Sequence, residues 1–258
     1  MTNDPPEVRA RRRVDEEFSR TREKHQALDR FASAVRAVDV VETVDVRRTT
    51  AGATVTGTDQ SAGRRQVRRA FEEHLHPLSG DATEEPETVH EAIATELSRD
   101  VAVALATTPS NGLPSRLKRA VLDESSRRQR EMALTVRVLE RERESLTGAR
   151  DSLDEVRGWL DDHRDVRLST RDFDTLAAWH RRLDTHRETL DDVAARRQRH
   201  LDRSTAADLT VALCHRTLAE YLYTDFSSTF PVLDACASLA STCTSAQRTV
   251  RAHLVGRV

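Results

Sequence analysis

From Ser115 to His163 the chain contains no proline, and from Met132 to Leu160 large apolar residues recur at every seventh position. Further positions three residues along in each heptad complete a 3-4 alternation, which is the period of a helix that packs along a narrow seam. The heptad residues are Met132, Leu139, Leu146, Leu153 and Leu160. We therefore predict one helix over 115–163, about 70 Å long at 1.5 Å per residue, with a coiled-coil interaction seam.

The intermediate seam positions of this helix are less uniform than the heptad leucines. They are Thr135, Glu142, Ala149, Val156 and His163. Thr135 and Glu142 are polar where a seam is normally apolar. Such residues lower stability and define the register of the packed helices, so we interpret both as register-setting defects.

A second segment with matching 3-4 spacing follows a short polar stretch, in which Ser169 or Thr170 is suited to cap the helix. Its seam residues are Leu176, Trp179, Leu183, His186, Leu190, Val193 and Arg197. Two helices joined by a short connection most simply fold back as an antiparallel hairpin, here over 114–204. The first helix outruns the second, so its remaining seam requires either the N-terminal helix or a second copy of the chain.

The remaining sequence divides by composition into flanking segments. We predict an N-terminal helix within 7–48, and a flexible loop, a short helix and an acidic linker over 49–88. A helical core over 89–258 contains the hairpin and a C-terminal helix pair at 206–255. The predicted fold class is all-α, a long antiparallel coiled-coil hairpin against which the flanking helices pack.

Two shorter patterns belong to this helical core. Apolar residues recur at every fourth position from Val89 to Leu105, which predicts one buried helix ending at Pro109. The stretch YLYTDFSSTFPVL, residues 221–233, holds four of the ten aromatic residues in the chain. We favour a corner where two helices meet, with aromatic side chains stapling the turn, over a ligand pocket.

Composition narrows the class of protein. Charged residues make up 33% of the chain and hydrophobic residues 37%, which suits long helices with narrow apolar stripes. A formal net charge of −2 provides no overall attraction to nucleic acid or to acidic membranes. Three cysteines fit a reducing cytosol, and no stretch is long and apolar enough for a membrane span or a secretory signal. We therefore expect a cytoplasmic protein.

Three stretches carry a resemblance to a known family. They are RARRRVDEEFSRTREKHQALDRFASAVRAVDV near the start, EEPETVHEAIATELSRDVAVAL in the middle and EYLYTDFSSTFPVLDACASL near the end. The chain resembles an uncharacterised helical domain family of salt-loving archaea. The resemblance implies a helical fold and a salty cytoplasm, and it carries over no catalytic residues. Thirty-nine of the 41 basic residues are arginine, an excess that GC-rich coding and adaptation to salt would each produce.

Motifs for catalysis or cofactor binding are missing from the sequence. No glycine-rich phosphate loop, C-x-x-C or H-E-x-x-H occurs. Cys236 and Cys243 lie seven residues apart, about 10.5 Å along a helix, which is too far to share one zinc ion. We expect no catalytic, cofactor-binding or metal-binding residues, and no enzyme activity.

Two dense basic clusters remain, at residues 9–13 and 64–69. Acidic residues follow both, so a solvated helix face is the favoured interpretation. The arginines with potential for phosphate contact are Arg11, Arg12, Arg13, Arg64 and Arg65. The sequence thus favours a non-enzymatic interaction or scaffolding protein that binds a protein partner or itself. The alternative is an accessory protein that binds nucleic acid through these arginines, without a recognised motif.

Overall fold

The computed structural model describes residues 4–40, 62–79, 88–106, 112–202 and 215–256. Within these ranges the chain forms eight α-helices and two short 3-10 helices, and it contains no β-strand. The α-helices are α1 (Pro6–Ala37), α2 (Ala62–His74), α3 (Val89–Glu96), α4 (Arg99–Ala106), α5 (Ser115–His163), α6 (Phe173–Leu201), α7 (His215–Leu222) and α8 (Pro231–Val255). The all-α class is confirmed, and long helices pack against one another.

The long helix α5 spans the residues that the heptads indicate, whereas the start of α6 differs from the expectation. Residues Leu168–Thr170 form a 3-10 turn, so neither Ser169 nor Thr170 caps α6. The cap is Asp172, whose carboxylate accepts a hydrogen bond from the Thr175 N–H at 2.7 Å. The carboxylate satisfies an N–H group that the first helical turn leaves without a partner.

The single helix expected after Val89 is two helices. The chain leaves the helical conformation at Leu97, where φ is −113° and ψ is −83°. The Ser98 hydroxyl then accepts a hydrogen bond from the Val101 N–H at 3.3 Å and starts α4. A serine side chain that competes for backbone N–H groups favours such a new start, although the four-residue spacing continues across it.

Two compact units divide the chain, and the division falls inside α1 and inside α5. Unit 1 comprises Met1–Phe18 and Arg137–Val258, and unit 2 comprises Ser19–Val136. The segment boundaries predicted at 48, 88 and 205 lie in or beside residues outside the described ranges, as does much of the helix predicted from 206. Those boundaries stay predictions.

Unit 2 is built around an apolar core contributed by α1, α2, α3, α4 and the first part of α5. Phe31 and Phe71 meet edge to face with their ring centres 5.8 Å apart. Met132, the first heptad residue, packs against this core. A Cβ atom at Gly63 would lie 2.9 Å from the Leu113 Cβ, so the close approach at this point requires glycine.

The only two lysines of the chain both hold α1 in unit 2. Lys24 forms an ion pair with the buried Glu96. Lys118 donates hydrogen bonds to the carbonyl oxygens of Arg36 at 2.7 Å and Val38 at 2.6 Å. Carbonyl groups at the C-terminal end of a helix lack hydrogen-bond partners within the helix, and the Lys118 ammonium group supplies them. Its positive charge also interacts favourably with the negative end of the helix dipole.

Unit 1 aligns α1, α5, α6 and α8 in alternating directions. Along each helix pair, residues of rising number on one helix contact residues of falling number on the other, which defines antiparallel packing. The contacts are Glu7–Arg157 and Asp15–Arg143 between α1 and α5, Glu142–Arg197 and Glu155–Arg182 between α5 and α6, and His180–Arg251 and Asp184–Gln247 between α6 and α8. The N-terminal helix is thus a partner of α5 within the same chain.

The seam leucines of α5 in unit 1 face the interior of the chain. Leu139, Leu146 and Leu153 are buried, and Leu160 is half-buried. Burial of each leucine contributes roughly 2 kcal/mol of hydrophobic stabilisation before the ordering cost is counted. No helix within the described ranges is long and apolar enough to cross a membrane.

Candidate functional site

Two features of unit 1 combine chemistry with a defined geometry. The first is a buried group of four side chains that we call the glutamate cluster: Glu142, Arg197, His200 and Tyr223. Glu142 is on α5, Arg197 and His200 are on α6, and Tyr223 directly follows α7. Glu142 and Tyr223 are fully buried. The polar seam position noted in the sequence is therefore the centre of a network.

Each carboxylate oxygen of Glu142 accepts two hydrogen bonds. Oε1 accepts from Arg197 at 2.6 Å and from the Tyr223 hydroxyl at 2.7 Å. Oε2 accepts from the second Arg197 nitrogen at 2.8 Å and from His200 Nε2 at 2.9 Å. A carboxylate provides about four lone-pair positions, so its hydrogen-bonding capacity is filled. The bidentate guanidinium also fixes the relative orientation of α5 and α6 at this point.

The electrostatics of the cluster follow from this geometry. Burial by itself raises the pKa of the Glu142 carboxyl, but the hydrogen bonds from His200, Arg197 and Tyr223 lower it well below its ordinary value. Burial and the adjacent carboxylate raise the pKa of the Tyr223 hydroxyl. Glu142 is therefore an anion and Tyr223 a neutral donor at neutral pH. A filled carboxylate and a neutral phenol suit a structural role better than proton transfer.

The aromatic stretch at 221–233 forms a helix corner. Tyr223 contacts Phe226 with ring centres 5.4 Å apart, and the Arg9 guanidinium lies 5.3 Å from the centre of the Phe226 ring. The Arg216 guanidinium lies 5.4 Å from the Phe230 ring centre. These contacts connect α7 with the start of α8, and the turn between them with the start of α1. Stapling of the turn by the aromatic side chains stays a prediction.

The second feature is a cavity of about 570 Å³ between α5, α6, α8 and the turn that joins α5 to α6. We call it the tryptophan pocket. It is lined by Trp159, Leu160, Trp179, Leu183 and Val250, by His163, Arg164, Arg167 and His253, and by further residues of the turn and of α8. Ligand pockets commonly measure about 300–1,000 Å³, so a small organic molecule fits this volume.

The aromatic rings of the pocket pack against one another. Trp159 stacks on His163 with ring centres 4.1 Å apart and an interplanar angle of 16°. The Trp179 ring is nearly perpendicular to both, with its centre 4.5 Å from that of His163 and 6.3 Å from that of Trp159. A cluster of this kind holds its side chains in fixed rotamers and offers ring faces and edges to a ligand.

Hydrogen bonds define the two histidines beside the rings. His163 Nδ1 lies 2.8 Å from the Trp159 carbonyl oxygen, so this nitrogen carries a proton. His186 Nε2 accepts a hydrogen bond from Arg182 at 3.2 Å, while Arg182 also binds Glu155 at 2.8 Å. Burial and the Arg182 charge lower the pKa of the His186 imidazole. His186 is therefore neutral at neutral pH, with its proton on Nδ1.

Acidic side chains are missing from the lining of the pocket. Among the described residues that line it none is Asp or Glu, although one residue in six of the whole chain is acidic. Arg164 pairs with Asp161 at 3.2 Å, and both groups are mostly exposed. Arg167 forms no ion pair with a described residue, and no described residue accepts a hydrogen bond from either indole N–H. The two indole N–H groups and the Arg167 guanidinium are therefore donors of the lining without an acceptor among the described residues.

The arginines predicted for phosphate contact lie in both units. Arg11 contacts Asp15 at 3.1 Å and also Thr147, and Arg12 pairs with Asp4 at 2.7 Å. Arg13 is half-buried on the same helix. Arg64 donates to the carbonyl oxygens of Gly112 and Ala104, both at 3.1 Å, and Arg65 is exposed. Phosphate contact at these positions stays a prediction.

Among the described residues, neither an activated cysteine nor a metal-binding group is found. Cys236 and Cys243 are buried in α8, and burial together with nearby Glu7 raises the pKa of the Cys236 thiol to about 11. A thiol with a raised pKa is a poor nucleophile near neutrality. The described part of the chain contains no group of three or more His, Cys, Asp or Glu side chains placed to hold a metal ion.

The tryptophan pocket was not expected from the sequence, although a signal was present. Trp159 and Trp179 lie ten residues on either side of position 169, near the centre of the predicted turn. In an antiparallel hairpin, positions equidistant from the turn face each other. His163 follows Trp159 by four residues and so shares its helix face. The contribution of α8 had no counterpart in the sequence pattern.

Comparison with other proteins provides a family and no activity. No curated protein and no solved structure matches the chain. A sequence family described as a domain of unknown function, DUF7260, matches residues 8–247, which include the glutamate cluster and most of the pocket. The chain therefore belongs to the DUF7260 family.

Proposed function

We propose that this protein is a non-enzymatic interaction protein whose binding element is the tryptophan pocket. The observation that carries the proposal is that both tryptophans of the chain line one open cavity of about 570 Å³. Tryptophan accounts for two of 258 residues, and it is one of the residue types enriched at binding hot spots, where its large ring and N–H donor both contribute.

The seam of α5 does not contribute to this proposal. Leu139, Leu146 and Leu153 are covered within the chain, and Leu160 lines the pocket. Association with a second copy therefore has no support from these leucines. The coiled-coil description of α5 and α6 is retained as a proposal, because their packed heptads suit it.

The chemistry of the glutamate cluster and the cysteines is compatible with a protein that binds without catalysis. Glu142 has filled hydrogen-bonding capacity, and Cys236 is protonated at neutral pH. No comparable observation supports nucleic-acid binding through Arg11, Arg12 and Arg13. Charge reversal at these three positions, followed by DNA titration at several salt concentrations, tests that alternative.

We propose a salt-rich cytoplasm, of the kind found in halophilic archaea, as the working environment. The support is the large excess of arginine over lysine, since guanidinium groups are weakly hydrated and pair well with carboxylates. Circular dichroism across a KCl series tests this. We expect helical content to persist into molar KCl, and unfolding or precipitation there contradicts the proposal.

Affinity capture with matched variants tests the binding role. Ser245 lines the pocket on α8, whereas Ser238 is exposed on the same helix outside it. We expect Ser245→Phe to abolish retention of the protein or small-molecule partners captured by the wild-type chain from a salt-rich lysate, and Ser238→Phe to preserve it. Identical retention by all three proteins overturns the proposed function.

A further inference from the structure

We propose that the ligand of the tryptophan pocket is a small organic acid, with an apolar body against the indole rings and a carboxylate at Arg164 and Arg167. These two exposed arginines of the lining define what we call the mouth of the pocket. This inference rests on the proposed binding function and specifies the class of ligand. It follows from three properties of the lining: the apolar floor, the sign of the charged groups and the donors that have no acceptor among the described residues.

The floor requires an apolar ligand body. Trp159 and Leu160 of α5 and Trp179 of α6 line the cavity and are only half-buried, so they retain apolar surface that a ligand can cover. Leu183 and Val250 also line it but are already buried within the chain. Covering apolar surface of this kind provides about 25 cal/mol for each Å² removed from water. A wholly polar ligand would leave that surface uncovered and would lose its own hydration. An aliphatic chain or an aromatic ring meets the requirement equally well.

The charged side chains of the lining all favour an anion. Arg164 and Arg167 are permanently cationic, and His163 and His253 are able to carry only positive charge. Arg164 pairs with Asp161, which does not line the pocket, and both side chains are mostly exposed. Arg167 has no such partner among the described residues. Aromatic rings also attract cations, but two arginines at the mouth oppose a cationic ligand.

The hydrogen-bonding groups point to the same class of ligand. The two indole N–H groups have no acceptor among the described residues, and the Arg167 guanidinium carries five donors and no acceptor. A carboxylate provides about four acceptor positions and no donor. A planar carboxylate also matches the guanidinium fork, so a carboxylate on the ligand complements both the charge and the donors of Arg167.

Two acids with matched alcohols test this inference in the full-length chain. The probes are decanoate with 1-decanol for an aliphatic body, and 2-naphthoate with 2-naphthylmethanol for an aromatic body. Titration calorimetry is run at pH 8, at the lowest salt concentration at which circular dichroism shows the chain folded. We expect at least one acid to bind about tenfold more tightly than its alcohol, because a charge-assisted contact at an exposed mouth is modest.

Variants assign that difference to the mouth and the pocket. Arg164→Gln with Arg167→Gln should abolish the preference for the acid. The matched pair Arg199→Gln with Arg248→Gln removes the same total charge from exposed positions outside the pocket and should preserve it. Ser245→Phe should abolish binding of acid and alcohol, and Ser238→Phe should not. If Ser245→Phe fails to fold, Thr249→Phe, one turn along α8, replaces it.

The outcomes separate the two levels of the proposal. Equal affinity for acid and alcohol, with both lost in Ser245→Phe, overturns the organic-acid assignment and leaves the binding role intact. If no probe binds the wild-type chain, or if Ser245→Phe does not reduce the binding, the organic-acid assignment is overturned. The lysate capture with the same variants then decides the binding role independently. An acid preference that survives Arg164→Gln with Arg167→Gln also overturns the assignment.

Discussion

The glutamate cluster and the tryptophan pocket lie at opposite ends of the α5–α6 contact. They differ in whether their hydrogen-bonding groups find partners within the chain. Around Glu142 every acceptor position is occupied by Arg197, His200 or Tyr223. At the pocket, the two indole N–H groups and the Arg167 guanidinium have no acceptor among the described residues, and an open cavity adjoins them. A charged group whose partners all belong to the chain stabilises one helix arrangement. Donors left over beside a cavity are available to another molecule.

The cluster and the pocket also differ in the free-energy cost of removing their charged groups from water. Taking Glu142 and Arg197 out of water costs several kcal/mol for each ion, which their mutual attraction and the extra hydrogen bonds must offset. The pocket avoids this cost, because Arg164 and Arg167 remain exposed. Because the cluster is buried, removing one of its members should lower the free energy of unfolding strongly. Because the arginines at the mouth are exposed, substitutions there should change it little. Four predictions test this contrast.

The largest effect is expected for Glu142→Ala. Removing the carboxylate leaves Arg197 buried without its counter-ion, so the free energy of unfolding should fall by about 3–5 kcal/mol. Urea unfolding followed by tryptophan fluorescence measures it, and both tryptophans report on unit 1. The control is the exposed Glu144→Ala, which should change stability by less than about 0.5 kcal/mol. Similar losses in both variants contradict the cluster's role.

The next effect concerns acid. The folded state lowers the pKa of Glu142, so its contribution to stability is complete above the ordinary value of 4.5 and is lost as the pH falls below that value. Stability of the wild-type chain should therefore decrease below pH 4.5, by up to about 1.4 kcal/mol per pH unit from this one group. Unfolding curves between pH 7 and pH 3 measure the slope. Glu142→Gln should reduce it and Glu144→Gln should not.

A smaller loss is expected when both members of the ion pair become apolar. Glu142→Leu with Arg197→Leu removes the two buried charges together, and such replacements are often nearly neutral in stability. We expect the double variant to lose less than half of what Glu142→Ala loses, and the Tyr223 hydroxyl to account for part of the remainder. A double-mutant cycle with both single variants provides the coupling energy. Additive losses would show that the pair acts as two independent residues.

The smallest effect on stability is expected at the pocket. Arg164→Gln with Arg167→Gln changes exposed side chains, so the free energy of unfolding should shift by less than about 1 kcal/mol. Tryptophan fluorescence of the native state should remain close to that of the wild type, because the ring contacts persist. Thermal unfolding measured by circular dichroism checks this. A loss comparable to that of Glu142→Ala would place these arginines in the structural framework.

Several parts of the structure could be predicted from particular residues. The range of α5 followed from Pro114 and the heptad leucines, because a helix with one apolar stripe must bury that stripe. The antiparallel α5–α6 arrangement followed from matching seams and a short connection. Glu142 was identified as a polar seam residue, but only as a defect in the packing. Its partner Tyr223 lies 81 residues further along the chain and had no periodic relation to it.

Other parts were not accessible in this way. The break between α3 and α4 depends on whether the Ser98 hydroxyl binds backbone, which spacing alone does not specify. Asp172 rather than Ser169 caps α6, because the 3-10 turn before it alters the direction of the chain. In both cases a local competition for hydrogen bonds, worth about 1 kcal/mol, selects among several residues of similar chemistry.

The amino-acid sequence by itself determined the helical class, the extent of α5 and the positions that face the interior, since periodicity and proline act locally along the chain. Only the tertiary structure decided that Glu142 has four donors around it and that Trp159, Trp179 and α8 enclose a cavity. Such convergence depends on how helices from distant parts of the chain are rotated and aligned. That alignment is set by the sum of many packing contacts, and no single pattern in the sequence encodes it.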